Sequence, residues 1–141
     1  MLFGISPVLG PDLLHALRAM GHGDEIALVD GNYPAAEHAR RLVRADGVDL
    51  ETLLTAVLTV LPLEAAFRAA QNNDPAQMGG IHHRIDAALL ASRFAQAATP
   101  LAGPQLYPRI KAAYAVVATS EAAPFANVIL RKGAMMPLQT I

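Results

Sequence analysis

Three short, mainly apolar runs constrain what this chain can fold into more than any other feature of its sequence. They lie at residues 26–29, 114–119 and 127–130. A strand with one face in water alternates apolar and polar side chains, whereas a strand covered on both faces is apolar throughout. The three runs therefore predict a sheet that helices cover on both faces, which is an α/β fold.

The clearest predicted helix begins after Asp49, a residue type that suits the N-cap position. Leucine and valine recur through residues 50–61 at i, i+3, i+4, i+7, i+8 and i+11, and Pro62 ends the pattern. An earlier helix is predicted to begin at Pro11. Gly21 is expected to end that helix in the left-handed conformation.

The remaining segments are less regular. Residues 63–70 favour a helix by propensity, because alanine and leucine dominate them. Residues 99–104 are interpreted as a loop. Further elements are predicted as a short strand at 42–44, a helix at 75–95 and a short helix at 106–112.

Composition narrows the class of protein. The 141 residues suit a single domain, predicted to span residues 1–141. The absence of cysteine excludes disulfides and thiolate metal sites. With 11 basic and 12 acidic residues, no nucleic-acid partner is expected. Because 53% of the residues are hydrophobic and only 16% are charged, we expect part of the surface to be covered by other subunits.

No membrane segment or targeting signal is predicted. The longest apolar stretches, at residues 53–61 and 112–118, are too short to span a bilayer. The first five residues carry no basic group and are soon followed by Pro7, unlike a signal peptide. We therefore expect a cytoplasmic protein with no membrane partner.

His22 is the histidine best placed for catalysis. It lies between Gly21 and Gly23, after a predicted helix and before a buried strand. Glycines leave the imidazole uncrowded, and histidine is the usual general acid–base group near neutral pH. The alternative is a histidine that binds the last carbonyls of the helix.

The other histidines carry less weight. His15 and His38 are interpreted as surface or boundary side chains. His82 and His83 are adjacent on a predicted helix, so their side chains diverge by about 100° and do not suit one metal ion. We therefore predict no metal site.

Three polar residues lie beside the predicted strands. Asp30 follows the first strand, where α/β sheets bind ligands, although it also suits an Asx-turn. Asn127 opens the last strand and could equally be a turn residue. Arg109 precedes the second strand, and its alternative is a solvated helix face.

An ordered series of motifs extends from residue 5 to residue 133. The most specific is Met-Gly-His-Gly-Asp-Glu at residues 20–25, and the others are Ile-Ser-Pro at 5–7, Pro-Asp-Leu-Leu at 11–14, Arg-Ala-Asp-Gly at 44–47, Tyr-Pro-Arg at 107–109, Thr-Ser-Glu at 119–121 and Asn-Val-Ile-Leu-Arg-Lys-Gly at 127–133. Together with Asp30 and Pro34, they resemble the D-ribose pyranase / L-fucose mutarotase family. Arg109 favours the fucose mutarotase branch, and residues 63–104 match only loosely.

The resemblance implies a fold, an activity and a site. The fold would be a three-layer αβα sandwich with a mixed sheet, in ring-shaped homo-oligomers, commonly decamers, whose sites lie between subunits. It implies a strand at 65–71, against the helical propensity there. The activity would be interconversion of monosaccharide anomers, or of pyranose and furanose rings, without metal or cofactor. His22 would be the proton donor, and Asp30, Arg109 and Asn127 would bind the sugar.

One residue departs from the family pattern. The family has tyrosine before the last strand, and this chain has Phe125. The ring can still stack on a sugar, but its hydroxyl is lost, so another group is needed, and Tyr33 and Tyr107 are candidates. The departure keeps a second hypothesis open, a non-catalytic monosaccharide-binding protein. A third is a domain that mainly assembles with a partner.

The spacing of His22 and Asp30 adds a constraint. Eight residues of extended chain span about 26 Å, too far for one sugar to touch both side chains. Either the Gly-His-Gly turn folds back, or the two residues reach one site from different subunits. The identity of the sugar is not determined by the sequence.

Overall fold

The computed structural model describes residues 1–137 of the chain. These residues form one six-stranded sheet with helices packed on both faces, as predicted. The strands are β1 (Glu25–Val29), β2 (Leu42–Ala45), β3 (Leu63–Ala69), β4 (Ala98–Leu101), β5 (Ala115–Thr119) and β6 (Val128–Lys132). The α-helices are α1 (Pro11–Ala19), α2 (Ala35–His38), α3 (Leu50–Leu58), α4 (Gly80–Ala91) and α5 (Gly103–Ala112).

The sheet is mixed, in the order β2-β5-β1-β6-β3-β4. Strands β2, β5 and β1 are parallel, and β6 runs antiparallel to both β1 and β3. The register pairs Leu28 with Val128 at one end of β1 and Glu25 with Arg131 at the other. The end of β1 therefore lies beside the beginning of β6, which brings Asp30 and Asn127 together.

Two apolar clusters lie on the two faces of the sheet. Ile26 and Leu28 of β1 point to one face, where they pack in a core with α1, α3 and α4. Ala27 and Val29 point to the other face, where they pack with α2 and α5. All four residues are 0% exposed, so β1 is covered on both faces from Ile26 to Val29, which explains why this run is apolar. The three-layer αβα sandwich is thereby confirmed.

The helical propensity of residues 63–70 gave a wrong prediction, and the strand that the resemblance implied is correct. Leu63–Ala69 forms β3, which lies between β6 and β4. Its side chains alternate between the two covered faces, so Ala66 packs in one core and Ala69 in the other. Pairing with β6 and β4 overrides the intrinsic preference of the alanines.

Several other boundaries differ from the sequence prediction. Residues 98–101 form an edge strand and not a loop, and Pro100 is tolerated there because β4 has only one neighbour. Helix α4 begins at Gly80, later than predicted. Helix α1 ends at Ala19 and is followed by Met20 in an extended conformation, so Gly21 does not end the helix. In the turn that follows, Gly23 is the residue with a positive φ, of 90°.

Candidate active site

A pocket of about 370 Å³ opens at the end of the sheet where β1 finishes and β6 begins. That volume lies in the range of roughly 300–1,000 Å³ that is typical of small-molecule sites. It contains three of the five predicted site residues, and its full lining is Asp30, Asn32, Tyr33, Pro34, His38, Tyr107, Lys111, Pro124, Phe125 and Asn127. We call it the Asp30 pocket.

Asp30 is held rigidly by backbone groups. Its Oδ1 accepts a hydrogen bond from Asn32 N–H at 3.0 Å, and its Oδ2 accepts one from Ala126 N–H at 3.3 Å. The N–H of Asp30 donates to Asn127 Oδ1 at 3.0 Å. Asp30 is therefore an Asx-turn residue and a pocket residue at once. Its burial raises the pKa of the carboxyl, although these backbone bonds oppose the rise.

Phe125 forms one wall of the Asp30 pocket in a strained conformation. Its φ of 57° lies in the left-handed region, which bulky residues rarely adopt. The carbonyl of Phe125 is 2.9 Å from Nε2 of His82, whose Nδ1 accepts a hydrogen bond from Gly79 N–H at 2.9 Å. His82 thus ties the start of α4 to the wall of the pocket.

His82 is neutral in this arrangement. Because Gly79 N–H can only donate and the carbonyl of Phe125 can only accept, Nδ1 is unprotonated and Nε2 carries the hydrogen. The side chain is 0% exposed, and burial lowers its pKa. Sequence reasoning examined His82 only as a metal ligand. The sequence feature that could have indicated this contact is Gly79, which precedes His82 by three residues at the start of α4.

Tyr33 and His38 form a hydrogen-bonded pair on another wall. Tyr33 Oη lies 2.7 Å from His38 Nδ1, and the two rings are nearly perpendicular at 81°. The ring of Tyr107 is 6.1 Å from that of Tyr33, between centroids. Burial, together with nearby Tyr107 and Asp30, raises the pKa of Tyr33 to about 12. His38 is half-buried, which fits the boundary position that the sequence indicated, and it also binds Tyr33.

His22 lies at the opposite end of β1. Gly23 beside it donates to the carbonyl of Lys132, which fixes the turn against β6. His22 Nε2 is 2.7 Å from Glu64 Oε1, and the histidine side chain is 65% exposed. The carbonyl of Leu17 in α1 and that of Met20, just after α1, both accept hydrogen bonds from Nζ of Lys132. The alternative of a helix-capping His22 is therefore wrong.

The cleft beside His22 is separate from the Asp30 pocket. Its volume is about 490 Å³. Its lining comes from the end of α3, the start of β3, the segment after α4 and the segment after β6: His22, Thr59, Val60, Leu61, Pro62, Leu63, Glu64, Arg93, Phe94, Gly133, Ala134 and Met135. We call it the His22 cleft.

Arg109 lies in neither cavity. Its Nε and Nη2 each donate to the carboxylate of Glu25 at 2.9 Å, and Glu25 also accepts from Arg131. The guanidinium carbon is 3.7 Å from the centroid of the Phe67 ring. The Glu25 carboxylate raises the pKa of Arg109. Arg109 is thus neither a solvated helix residue nor, within one chain, a neighbour of Asp30.

The structure therefore brings together Asp30, Phe125 and Asn127 and leaves His22 and Arg109 at the other end of β1. The Gly-His-Gly turn does not fold back toward Asp30. Within residues 1–137, no three histidine or acidic side chains are grouped so that they could hold a metal ion. The same residues contain no helix with the length and apolarity needed to cross a membrane.

Comparison with known proteins gives a consistent result. Residues 3–135 match the model of the RbsD / FucU transport protein family. The chain is 38% identical over 145 residues to the fucose mutarotase of Mus musculus, covering 95% of each chain. It is 37% identical over 139 residues to the L-fucose mutarotase of Haemophilus influenzae (strain 86-028NP), covering 94% of this chain and 96% of the other.

A solved structure agrees with these relatives. The fold superposes with a TM-score of 0.82 on the fucose mutarotase of Streptococcus pneumoniae, crystallised in complex with L-fucose. The two sequences are 34% identical, and the match covers 96% of this chain and 100% of the other.

Proposed function

The chain belongs to the RbsD / FucU transport protein family, and from that membership we propose that it is an isomerase that accelerates the interconversion of L-fucose anomers. The observation that carries the proposal is its similarity along nearly its whole length to proteins named fucose mutarotase, one of them crystallised with L-fucose. The Asp30 pocket supplies a cavity in which carboxylate, amide and aromatic groups converge.

Opening a sugar ring requires two proton transfers. The anomeric hydroxyl must lose a proton and the ring oxygen must gain one, and a positioned acid or base accelerates such a step roughly 10²–10⁴-fold. We assign the donation to the ring oxygen to His22. Glu64, 2.7 Å from its Nε2, would hold the imidazole in position.

We assign sugar binding to the Asp30 pocket. Asp30 and Asn127 would bind hydroxyl groups, and Phe125 would stack on the apolar face of the ring. Asp30 suits this task because its orientation is fixed by two backbone donors, so little freedom is lost on binding.

One sugar reaches both sets of residues only if two chains meet. Because His22 and Asp30 lie at opposite ends of β1 and line separate cavities, we propose that the His22 cleft of one subunit faces the Asp30 pocket of the next. Arg109, at the same end of β1 as His22, would join from that neighbouring subunit. Such head-to-tail contacts form a ring where the rotation between subunits closes, and a ring-shaped homo-oligomer, a decamer as the resemblance implies, is part of this proposal.

The test is saturation-transfer NMR of anomer exchange with L-fucose and a panel of related sugars. His22→Ala should abolish the accelerated exchange and leave most of the sugar binding. His15→Ala is the matched control, because His15 is exposed on α1. An unchanged rate in the His22 variant would remove His22 from the mechanism.

Two further outcomes separate the alternatives. Sugar binding without accelerated exchange in the unmodified protein would favour a non-catalytic monosaccharide-binding protein. Failure to bind any monosaccharide would favour an assembly domain. Specific activity should fall on dilution as subunits separate, and a fully active monomer would contradict the shared site.

A further inference from the structure

The Tyr33–His38 pair brings acid–base chemistry to the Asp30 pocket. Both side chains line the pocket, and the distance of 2.7 Å between Tyr33 Oη and His38 Nδ1 is that of a well-formed hydrogen bond. The hydroxyl of Tyr33 is bound to a titratable imidazole and not to a backbone carbonyl. A phenol and a base thus lie in contact beside Asp30, at the opposite end of β1 from His22.

The direction of the hydrogen bond follows from the surroundings of Tyr33. Burial raises the pKa of the phenol to about 12, and nearby Tyr107 and Asp30 act in the same direction. Tyr33 therefore keeps its proton near neutral pH. Its O–H donates, and Nδ1 of His38 accepts, which leaves the hydrogen of a neutral His38 on Nε2.

We propose that Tyr33 and His38 form the second proton-transfer pair of the sugar site, with Tyr33 facing the anomeric hydroxyl and His38 receiving the proton of the phenol. This inference rests on the proposed function, in which ring opening needs two transfers and His22 supplies one. Tyr33 is the group that contacts the sugar. His38 acts through Tyr33.

The proton and electron balance of the step closes without a cofactor. As the bond between the anomeric carbon and the ring oxygen breaks, its electron pair goes to the ring oxygen, which takes a proton from His22 of the neighbouring subunit. The anomeric hydroxyl passes its proton to Tyr33 Oη, and its electron pair forms the carbonyl. Tyr33 passes its own proton to His38 Nδ1, so no free phenolate forms. Ring closure on the other face reverses each transfer.

The location of His38 suits a proton acceptor. It is the last residue of α2, and its side chain is only half-buried. Partial exposure allows His38 to exchange its proton with water between turnovers.

The first experiment removes one oxygen atom. Tyr33→Phe keeps the ring, which packs against the apolar cluster under α2 and α5. We expect the L-fucose anomer exchange rate to fall at least 100-fold, while the sugar dissociation constant changes by less than about threefold. Tyr114→Phe is the matched control, because Tyr114 stacks under Arg41 at the opposite end of the sheet.

The second experiment separates a proton acceptor from a structural partner. In His38→Gln the amide oxygen can still accept the hydrogen bond of Tyr33, but it cannot take up a proton. We expect His38→Gln to lose exchange to a similar extent, again with binding retained. In the unmodified protein, ¹⁵N NMR should show the Nε2–H tautomer of His38.

The outcomes are distinct from those for the proposed function. If the unmodified protein does not accelerate exchange, the proposed function fails and this inference falls with it. If the unmodified protein is active and Tyr33→Phe matches it, only the Tyr33–His38 assignment is overturned. Equal loss of binding and exchange in Tyr33→Phe would make Tyr33 a binding residue, and full activity in His38→Gln would overturn the relay.

Discussion

Replacing His82 by phenylalanine tests how the wall of the Asp30 pocket is held. The substitution keeps a planar ring in a site where the native side chain is 0% exposed, so it opens no large cavity. It removes both hydrogen bonds of the imidazole, one to the carbonyl of Phe125 and one from Gly79 N–H. The strained loop at Phe125 would then lose its link to α4.

The expected cost follows from these two bonds. A buried backbone group left without a partner costs about 1–3 kcal/mol. Gly79 is half-buried, so water can partly replace the hydrogen bond that its N–H loses. We therefore place the cost for Gly79 at the low end of that range. Phe125 holds a left-handed conformation that costs roughly 1–3 kcal/mol and persists only while its surroundings impose it. We therefore expect His82→Phe to lower the free energy of unfolding by about 2–4 kcal/mol.

The assay is urea unfolding followed by circular dichroism, with all variants at one protein concentration, because subunit association adds to apparent stability. His83→Phe is the control, since His83 is the exposed neighbour on the same helix. It should stay within about 0.5 kcal/mol of the unmodified protein. If His82→Phe also stays within that range, the link between α4 and the pocket wall does not contribute to the free energy of unfolding, and the reasoning is wrong.

Two further predictions concern stability. Asp86→Ala should lower the free energy of unfolding in urea by about 3–5 kcal/mol, because it leaves the buried guanidinium of Arg68 without its bidentate partner. The control Glu51→Ala breaks an exposed ion pair with Arg84 and should lower it by less than about 1 kcal/mol. Equal losses in the two variants would contradict this reasoning. Acidification should also destabilise the protein through His82: burial lowers its native pKa below the unfolded value of 6.5, so its contribution is present above that value and is lost as the pH falls through the native pKa. Between about pH 7 and pH 5 the urea midpoint should therefore fall more steeply in the unmodified protein than in His82→Phe, and parallel slopes would exclude His82 as the cause.

The buried strands could be predicted because burial on both faces leaves a direct mark on the sequence. Residues 26–29 and 115–118 are apolar throughout, and no helix of that length is stable alone. β3 could not be found in this way. Its alanines favour a helix, and only the strands on either side of it, far apart in sequence, make it a strand.

The site was predictable in part for a similar reason. Asp30 and Asn127 were found because they border buried strands, and the antiparallel register of β1 and β6 makes them neighbours. The contact between Tyr33 and His38 depends on the short helix α2, which the sequence did not predict. His82 reaches Phe125 across 43 positions, a pairing that no local pattern reveals.

Mixing two inactive variants tests the shared site most directly. His22→Ala retains the Asp30 pocket, and Asp30→Ala retains the His22 cleft, so neither forms a complete site with its own copies. In randomly mixed oligomers about a quarter of the contacts would join an intact cleft to an intact pocket. We predict that the mixture regains L-fucose anomer exchange, measured by saturation-transfer NMR, that each variant alone lacks. A mixture as inactive as its components would contradict a site built from two subunits.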